Sequence, residues 1–171
     1  MEFNELIKHR YSVRAYRPDP VPPEKLQRVL EAARLAPTAA NRQPFRLLVI
    51  NSRGREEELK RLYHREWFTQ APLVIGLVTI PEAAWKRRDG KNYADVDATI
   101  AMDHLILAAA NEGLGTCWVG AFDPAVAREI FSLPPEVEPL AFTPLGYPAD
   151  QPAPKKRKDL SELVNYERWR P

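Results

Sequence analysis

Val96-Asp97-Ala98-Thr99-Ile100-Ala101-Met102-Asp103-His104-Leu105-Ile106-Leu107-Ala108-Ala109-Ala110-Asn111-Glu112 reads as the most apolar helix of the chain. Ile100, Leu105, Ile106, Leu107 and the alanines at 108–110 cover more than one side of it. A helix of that kind belongs in a core or against a second subunit. Gly113 or Gly115 ends it through a left-handed cap, and Thr116-Cys117-Trp118-Val119-Gly120 then follows as a short, central strand.

Upstream, Leu73-Val74-Ile75-Gly76-Leu77-Val78-Thr79-Ile80 is a continuous apolar run with β-branched members, the pattern of a strand buried on both faces. Leu47-Leu48-Val49-Ile50 is a shorter run of the same kind. Between them, the polar stretch Arg53 to Tyr63 makes an exposed helix with Leu59 and Leu62 available to pack. Earlier still, Leu26, Val29, Leu30 and Ala33 fall at i, i+3, i+4 and i+7, one apolar stripe of a helix that Pro37 terminates. Phe3 to His9 forms a short helix before it, and prolines 18, 20, 22 and 23 separate the two.

Downstream, Asp123-Pro124 supplies an N-cap with proline at the first helical position, opening a helix through about Phe131. Leu140 to Tyr147 makes a fourth strand that Pro144 interrupts, which places it at an edge or ends it early. Pro81 to Asp95 is polar and reads as a loop or lid. The alternation of helices and strands argues an α+β (α/β sandwich) fold around a small sheet. Four strands are few for one chain, and the polar tail from Pro148 is long enough to reach over a partner.

The 171 residues suit a single domain over 1–171 with a substantial core. Lys+Arg 25 against Asp+Glu 23 gives +2, a balance that does not call for nucleic acid or an acidic membrane surface. One cysteine, Cys117, excludes an internal disulfide and a CxxC pair; in an apolar strand it serves as a small hydrophobe. Met1-Glu2-Phe3-Asn4-Glu5 lacks the basic start of a signal peptide, and no apolar run approaches the ~20 residues of a membrane span. A cytoplasmic protein is expected.

Arg10-Tyr11-Ser12-Val13-Arg14 carries the clearest chemistry. In an extended segment Arg10, Ser12 and Arg14 share one side, and two guanidinium forks with a hydroxyl donor suit a phosphate. Gly113-Leu114-Gly115 lacks the third glycine of a dinucleotide fingerprint and precedes a strand, and no Walker phosphate loop is present. Ser12 has no nucleophile-elbow context. His9, His64 and His104 lie on separate elements without ligand spacing; His104, sharing a helix with Asp97, is better served by a hydrogen bond than by a metal. No metal is expected. The run Lys155-Lys156-Arg157-Lys158 is short and without interleaved aromatics, a weak basis for nucleic-acid binding.

Four segments together resemble the nitroreductase family of FMN-dependent oxidoreductases. They are Arg10-x-Ser12-x-Arg14; Ala36-Pro37-Thr38-Ala39-Ala40-Asn41-Arg42-Gln43-Pro44-Phe45; Gly113 to Asp123; and Pro154-Lys155-Lys156-Arg157-Lys158-Asp159-Leu160 with Val164 and Tyr166. The resemblance implies a central mixed sheet of four to five strands flanked by helices, in an intertwined homodimer with FMN at the subunit interface. It implies that Arg10 and Ser12 bind the FMN phosphate, that Arg14 contacts the phosphate or the O2 edge of the flavin, and that Lys155 and Arg157 close on the same phosphate. Pro37, Thr38, Ala39, Asn41 and Gln43 would reach the flavin from the partner subunit, and Gly120 and Ala121 would bring backbone N–H to flavin N5.

Small residues at 120 and 121 permit a close backbone approach to a flat ring; the Trp118 indole is expected to pack in the core. The family's residue at the pyrimidine edge falls among His64, Arg65, Glu66 and Trp67, and Trp85 and Tyr93 could stack on a substrate or anchor their loop. By the same resemblance NADH or NADPH is the electron donor, and a nitroaromatic, quinone or similar flat compound is the acceptor, by a ping-pong mechanism without a catalytic side chain. The alternatives are an FMN store or sensor without turnover and a narrower FMN enzyme such as a reductive dehalogenase.

Overall fold

The computed structural model describes residues 1–169. Its centre is β2 (Leu73–Thr79), every residue of which is buried. β2 pairs antiparallel with β1 (Phe45–Asn51) on one side and with β4 (Glu138–Gly146) on the other. The two-residue β3 (Gly115–Thr116) pairs antiparallel with β4, giving the order β1-β2-β4-β3. The parallel contribution to this sheet is a single bridge, Ser12 to Thr116, from the N-terminal segment.

Side-chain alternation sends the two faces of β2 into two cores. Leu73, Ile75 and Leu77 pack with α2 (Pro23–Arg34) and α5 (Ala94–Asn111), against Val29, Ala33, Met102 and Leu105. Val74 faces the other way, with Ile50 and Phe142, onto α3 (Glu56–Leu62), α4 (Glu66–Gln70) and α6 (Pro124–Ile130). Gly76 lies on that second face because a Cβ there would come within 2.8 Å of the Phe142 ring. The sandwich therefore has helices on both sides of one sheet, with α1 (Phe3–His9) and α7 (Leu160–Leu163) outside it.

The expected helices are present. α5 buries Ala94, Ala98, Ala101, Met102, Leu105 and Ala109 and ends at Gly113, whose φ of +74° is the left-handed cap. Asp123 caps α6, its carboxylate accepting from the N–H groups of Ala125 and Val126.

Three strand assignments are corrected. β1 is an edge strand in which Ile50 is buried and Val49 is 45% exposed; an apolar run marks a strand but not the cover over it. β3 is at the other edge, not central. β4 is internal despite Pro144. Phe142 exchanges both of its backbone hydrogen bonds with Val119 across the β3 side, so alternation turns position 144 to that same side. There the ladder is already open: the Cys117 N–H donates at 2.9 Å to the Thr143 hydroxyl, which in turn donates to the Pro144 carbonyl. The proline's missing donor is thus at a place where a side chain stands in for the backbone.

The segment Tyr11 to Tyr16 is fastened to the β3–β4 edge by the Val13 N–H to Thr116 carbonyl bond and by the Tyr16–Pro148 bridge. Val13, 1% exposed, presses on Gly115, where an added Cβ would fall within 2.5 Å of a Val13 methyl. Gly115→Ala is expected to cost about 1–3 kcal/mol in urea unfolding as an overpacked contact, and Val13→Ala in the same chain to recover part of that loss.

Candidate functional site

α1 ends at His9, and Arg10 turns the chain into extended conformation at φ −54°, ψ 131°. The period of two holds at Val13 but not at Tyr11, which lines the same groove as its neighbours. Val13 points into the protein, while Arg10, Ser12 and Arg14 line a groove of about 330 Å³ together with Asp150, Lys155 and Arg157. The structure therefore brings together five of the expected phosphate residues from chain positions more than 130 apart.

One carboxylate lines this groove, and its acceptors are occupied. Asp150 takes the Arg14 backbone N–H at 2.7 Å on Oδ2 and the Tyr11 hydroxyl at 3.1 Å on Oδ1, while the Asp150 carbonyl takes the same hydroxyl at 3.0 Å. Burial and then the neighbouring Asp150 push the Tyr11 phenol up to about 12, so it keeps its proton and remains the donor. Among the described residues none of Arg10, Arg14, Lys155 and Arg157 is in an ion pair. The Lys155 ammonium donates to the carbonyls of Ile7, at 2.8 Å, and Lys8, the C-terminal end of α1. Burial, with Arg10 and Arg157 close by, pushes Lys155 down from its ordinary value. Five cationic side chains around one carboxylate, itself hydrogen-bonded to Tyr11 and the Arg14 backbone, leave a net positive charge that suits a dianion, and the donors fit a phosphate group.

Beneath it, burial pushes the Cys117 thiol up, partly offset by Arg14; the cysteine is 4% exposed and packs as the small hydrophobe expected.

Pro37, Thr38, Ala39, Asn41 and Gln43 are not in this groove. They lead into β1, at the sheet edge opposite β3. A short turn spans Ala39–Asn41, with the Gln43 N–H on the Thr38 hydroxyl at 3.1 Å and the Gln43 amide on Asn41. The Ala39 N–H donates inward to Asp97 at 2.9 Å.

Gly120 and Ala121 form a third locus. Gly120 is exposed, with only the Trp118 Nε1 within 3.7 Å of a Cβ built on it, so its backbone is open to a close ligand. Ala121 lines a groove of about 670 Å³ with Tyr63, His64, Arg65 and Phe122. Of the four candidates for the pyrimidine edge, His64 and Arg65 face this groove, whereas Trp67 packs edge-on against Tyr63 and Phe68. Trp118 is 39% exposed and not in the core; its neighbour Val119 is buried and bridges Phe142, so alternation turns the indole outward.

Trp85 and Tyr93, candidates for substrate stacking, pack edge-to-face on each other at 5.0 Å, and the Tyr93 N–H donates to the Trp85 carbonyl. With Asn92 on the Pro81 carbonyl, they tie residues 81–93 into a closed turn, which makes the two aromatics anchors of their loop, the alternative to stacking on a substrate. His104 hydrogen-bonds the Ile100 carbonyl, and no group of three metal-ligating side chains occurs among the described residues. Among the described residues no helix is long and apolar enough to cross a membrane.

Sequence reading missed three contributors. Tyr11 and Asp150 act through a contact 139 positions apart, which no local pattern encodes. Asp97 carried a signal: an acidic residue on the alanine-rich buried face of α5 needs a partner.

The nitroreductase family model matches residues 7–66 and 56–147. FMN reductase (NAD(P)H) of Bacillus subtilis is 31% identical over 96% of this chain and 74% of its own length. An NADH dehydrogenase of Thermus thermophilus is 30% identical over 91% of each chain. A nitroreductase family protein of Clostridium difficile has a crystal structure that superimposes with a TM-score of 0.88 at 41% identity, covering 99% of this chain and 100% of that one. With a sandwich of the same shape and a sequence match from residue 7 to residue 147, the chain belongs to the nitroreductase family of NAD(P)H-dependent oxidoreductases.

Proposed function

We propose that the protein is an FMN enzyme that takes hydride from NADH or NADPH and delivers it to a nitroaromatic, quinone or similar flat acceptor, with the cofactor held between two copies of the chain. The carrying observation is the groove in which Arg10, Ser12 and Arg14 meet Lys155 and Arg157 while Asp150 is committed to Tyr11 and the Arg14 backbone. When bound, FMN supplies the hydride chemistry, which no side chain of the chain has to perform.

The residues bind and orient. Arg10 and Ser12 hold the phosphate and Lys155 and Arg157 close over it, the lysine doing so while it fastens the tail to α1. Arg14 reaches the phosphate or the O2 edge of the flavin, where a fixed positive charge favours uptake of a negative one. Gly120 and Ala121 offer exposed backbone to the ring, with His64 and Arg65 across the groove beside Ala121. Pro37, Thr38, Ala39, Asn41 and Gln43 serve the partner's cofactor. Their position at the opposite sheet edge from the phosphate groove supports a site shared between copies, since three strand spacings, roughly 14 Å, separate the two edges. Donor and acceptor use the one open face in turn.

The deciding experiment is the absorbance of FMN-loaded protein under nitrogen, before and after NADH or NADPH. Loss of the bound-flavin band is expected; a band that persists with both donors moves the reading to an FMN store or sensor. FMN is expected to bind more tightly than riboflavin, and Arg10→Ala to weaken FMN by about tenfold to hundredfold while leaving riboflavin unchanged, read by fluorescence titration. Because the second ionisation of a phosphate monoester lies near pH ~6, the FMN preference should fall as pH drops through that value. Sedimentation should show a dimer; a monomer that retains FMN overturns the shared site.

A further inference from the structure

The turn that leads into β1 adopts a backbone its residues disfavour. Ala40, Asn41 and Gln43 have φ of 49°, 53° and 51°, the left-handed region that glycine occupies freely and other residues seldom do. A conformation of this kind persists only where surrounding structure imposes it. The Gln43 and Asn41 side chains bond within the turn and are exposed, so they cannot anchor it. Among the described residues, the hydrogen bond that ties residues 38–43 to the protein beyond residue 45 is the Ala39 N–H to Asp97 Oδ1, at 2.9 Å.

Asp97 is an expensive residue to keep where it is. It is 1% exposed, and its second oxygen, Oδ2, is buried without a hydrogen-bond partner. Packing alone would be met by alanine, as it is at Ala94, Ala98 and Ala101 on the same helix face. The first turn of an 18-residue helix offsets part of the cost of a buried carboxylate, but does not require one. The remaining use of the group on the page is its bond to Ala39.

We infer that Asp97 is a positioning residue: through the Ala39 N–H it holds residues 38–43 in the conformation, left-handed at Ala40, Asn41 and Gln43, in which they are presented to the flavin of the partner subunit. It touches no cofactor itself. The inference rests on the reading of this turn as flavin-facing, and its test separates the two.

Full-length wild type, Asp97→Ala and Asp97→Asn are compared by trypsin cleavage of the exposed Arg42–Gln43 bond in the flavin-free protein, followed by mass spectrometry, and by FMN titration. Asn keeps an acceptor for Ala39 and puts its amide where Oδ2 already lacks a partner. Asp97→Ala should be cut about tenfold faster or more and bind FMN about tenfold more weakly, with Asp97→Asn near wild type in both.

Should Asp97→Ala fail to fold, Ala39→Pro removes the donor instead. Thr38, at φ −133° and ψ 154°, already has the backbone that precedes proline, and proline suits the first position of a turn. This variant should reproduce the faster cleavage and weaker binding. Cleavage at the wild-type rate in Asp97→Ala or Ala39→Pro overturns the inference, as does faster cleavage with unchanged FMN affinity. Wild-type protein that takes up no FMN overturns the flavin reading, while the cleavage rates still decide whether Asp97 holds the turn.

Discussion

A strand whose seven residues are all buried must be covered on both faces and paired on both edges, and β2 makes that demand on the rest of the chain. One face is met by α2 and α5, the other by α3, α4 and α6. β1 and β4 supply the edges. Everything that forms the candidate site lies on the periphery of this arrangement: the basic groove on the β3 side, the left-handed turn on the β1 side, and the open backbone at Gly120 where β3 has already ended. The scaffold is rigid where it is apolar and offers its chemistry where the sheet stops.

Charge at the groove is set by number, and its availability by occupation. The chain as a whole is nearly balanced, at +2. Locally the balance is broken because five cationic side chains line the groove against the single carboxylate of Asp150, whose oxygens accept from Tyr11 and a backbone amide and not from a guanidinium. Had the same acid paired with Arg10 or Arg14, one guanidinium fewer would face an incoming anion. Tyr11, which retains its proton, helps to keep Asp150 in that role.

Much of the fold was legible. β2, the apolar stripe of α2, the long α5 and the Asp123-Pro124 start of α6 are each written in local periodicity or capping chemistry, which the structure reproduces. Strand order was not, because it depends on which edges find partners. Pro144 argues against an internal strand unless one knows that the hydroxyl of the preceding Thr143 bridges to Cys117 on the facing segment. The alternation of Arg10, Ser12 and Arg14 could be read from five residues. Their counterparts at 150–157 became visible through a family resemblance, and the contacts of Asp150 and Asp97 through the structure, since a partner 58 or 136 positions away leaves no local mark.

The bonds that close the groove also set when it can exist. Arg14 to Asp150 and Lys155 to Ile7 span 136 and 148 positions, nearly the whole chain. Contacts of that separation carry the largest loop-closure cost and form late unless other structure has already brought their ends together. On the ribosome, where the C-terminal segment emerges last, the sandwich can assemble around β2 and α5 before any anion site is available. The groove is in this sense a late product of folding: a chain lacking residues from 150 onward keeps many of its core residues but lacks both the acid that takes the Arg14 backbone and the segment that lines the groove beside it.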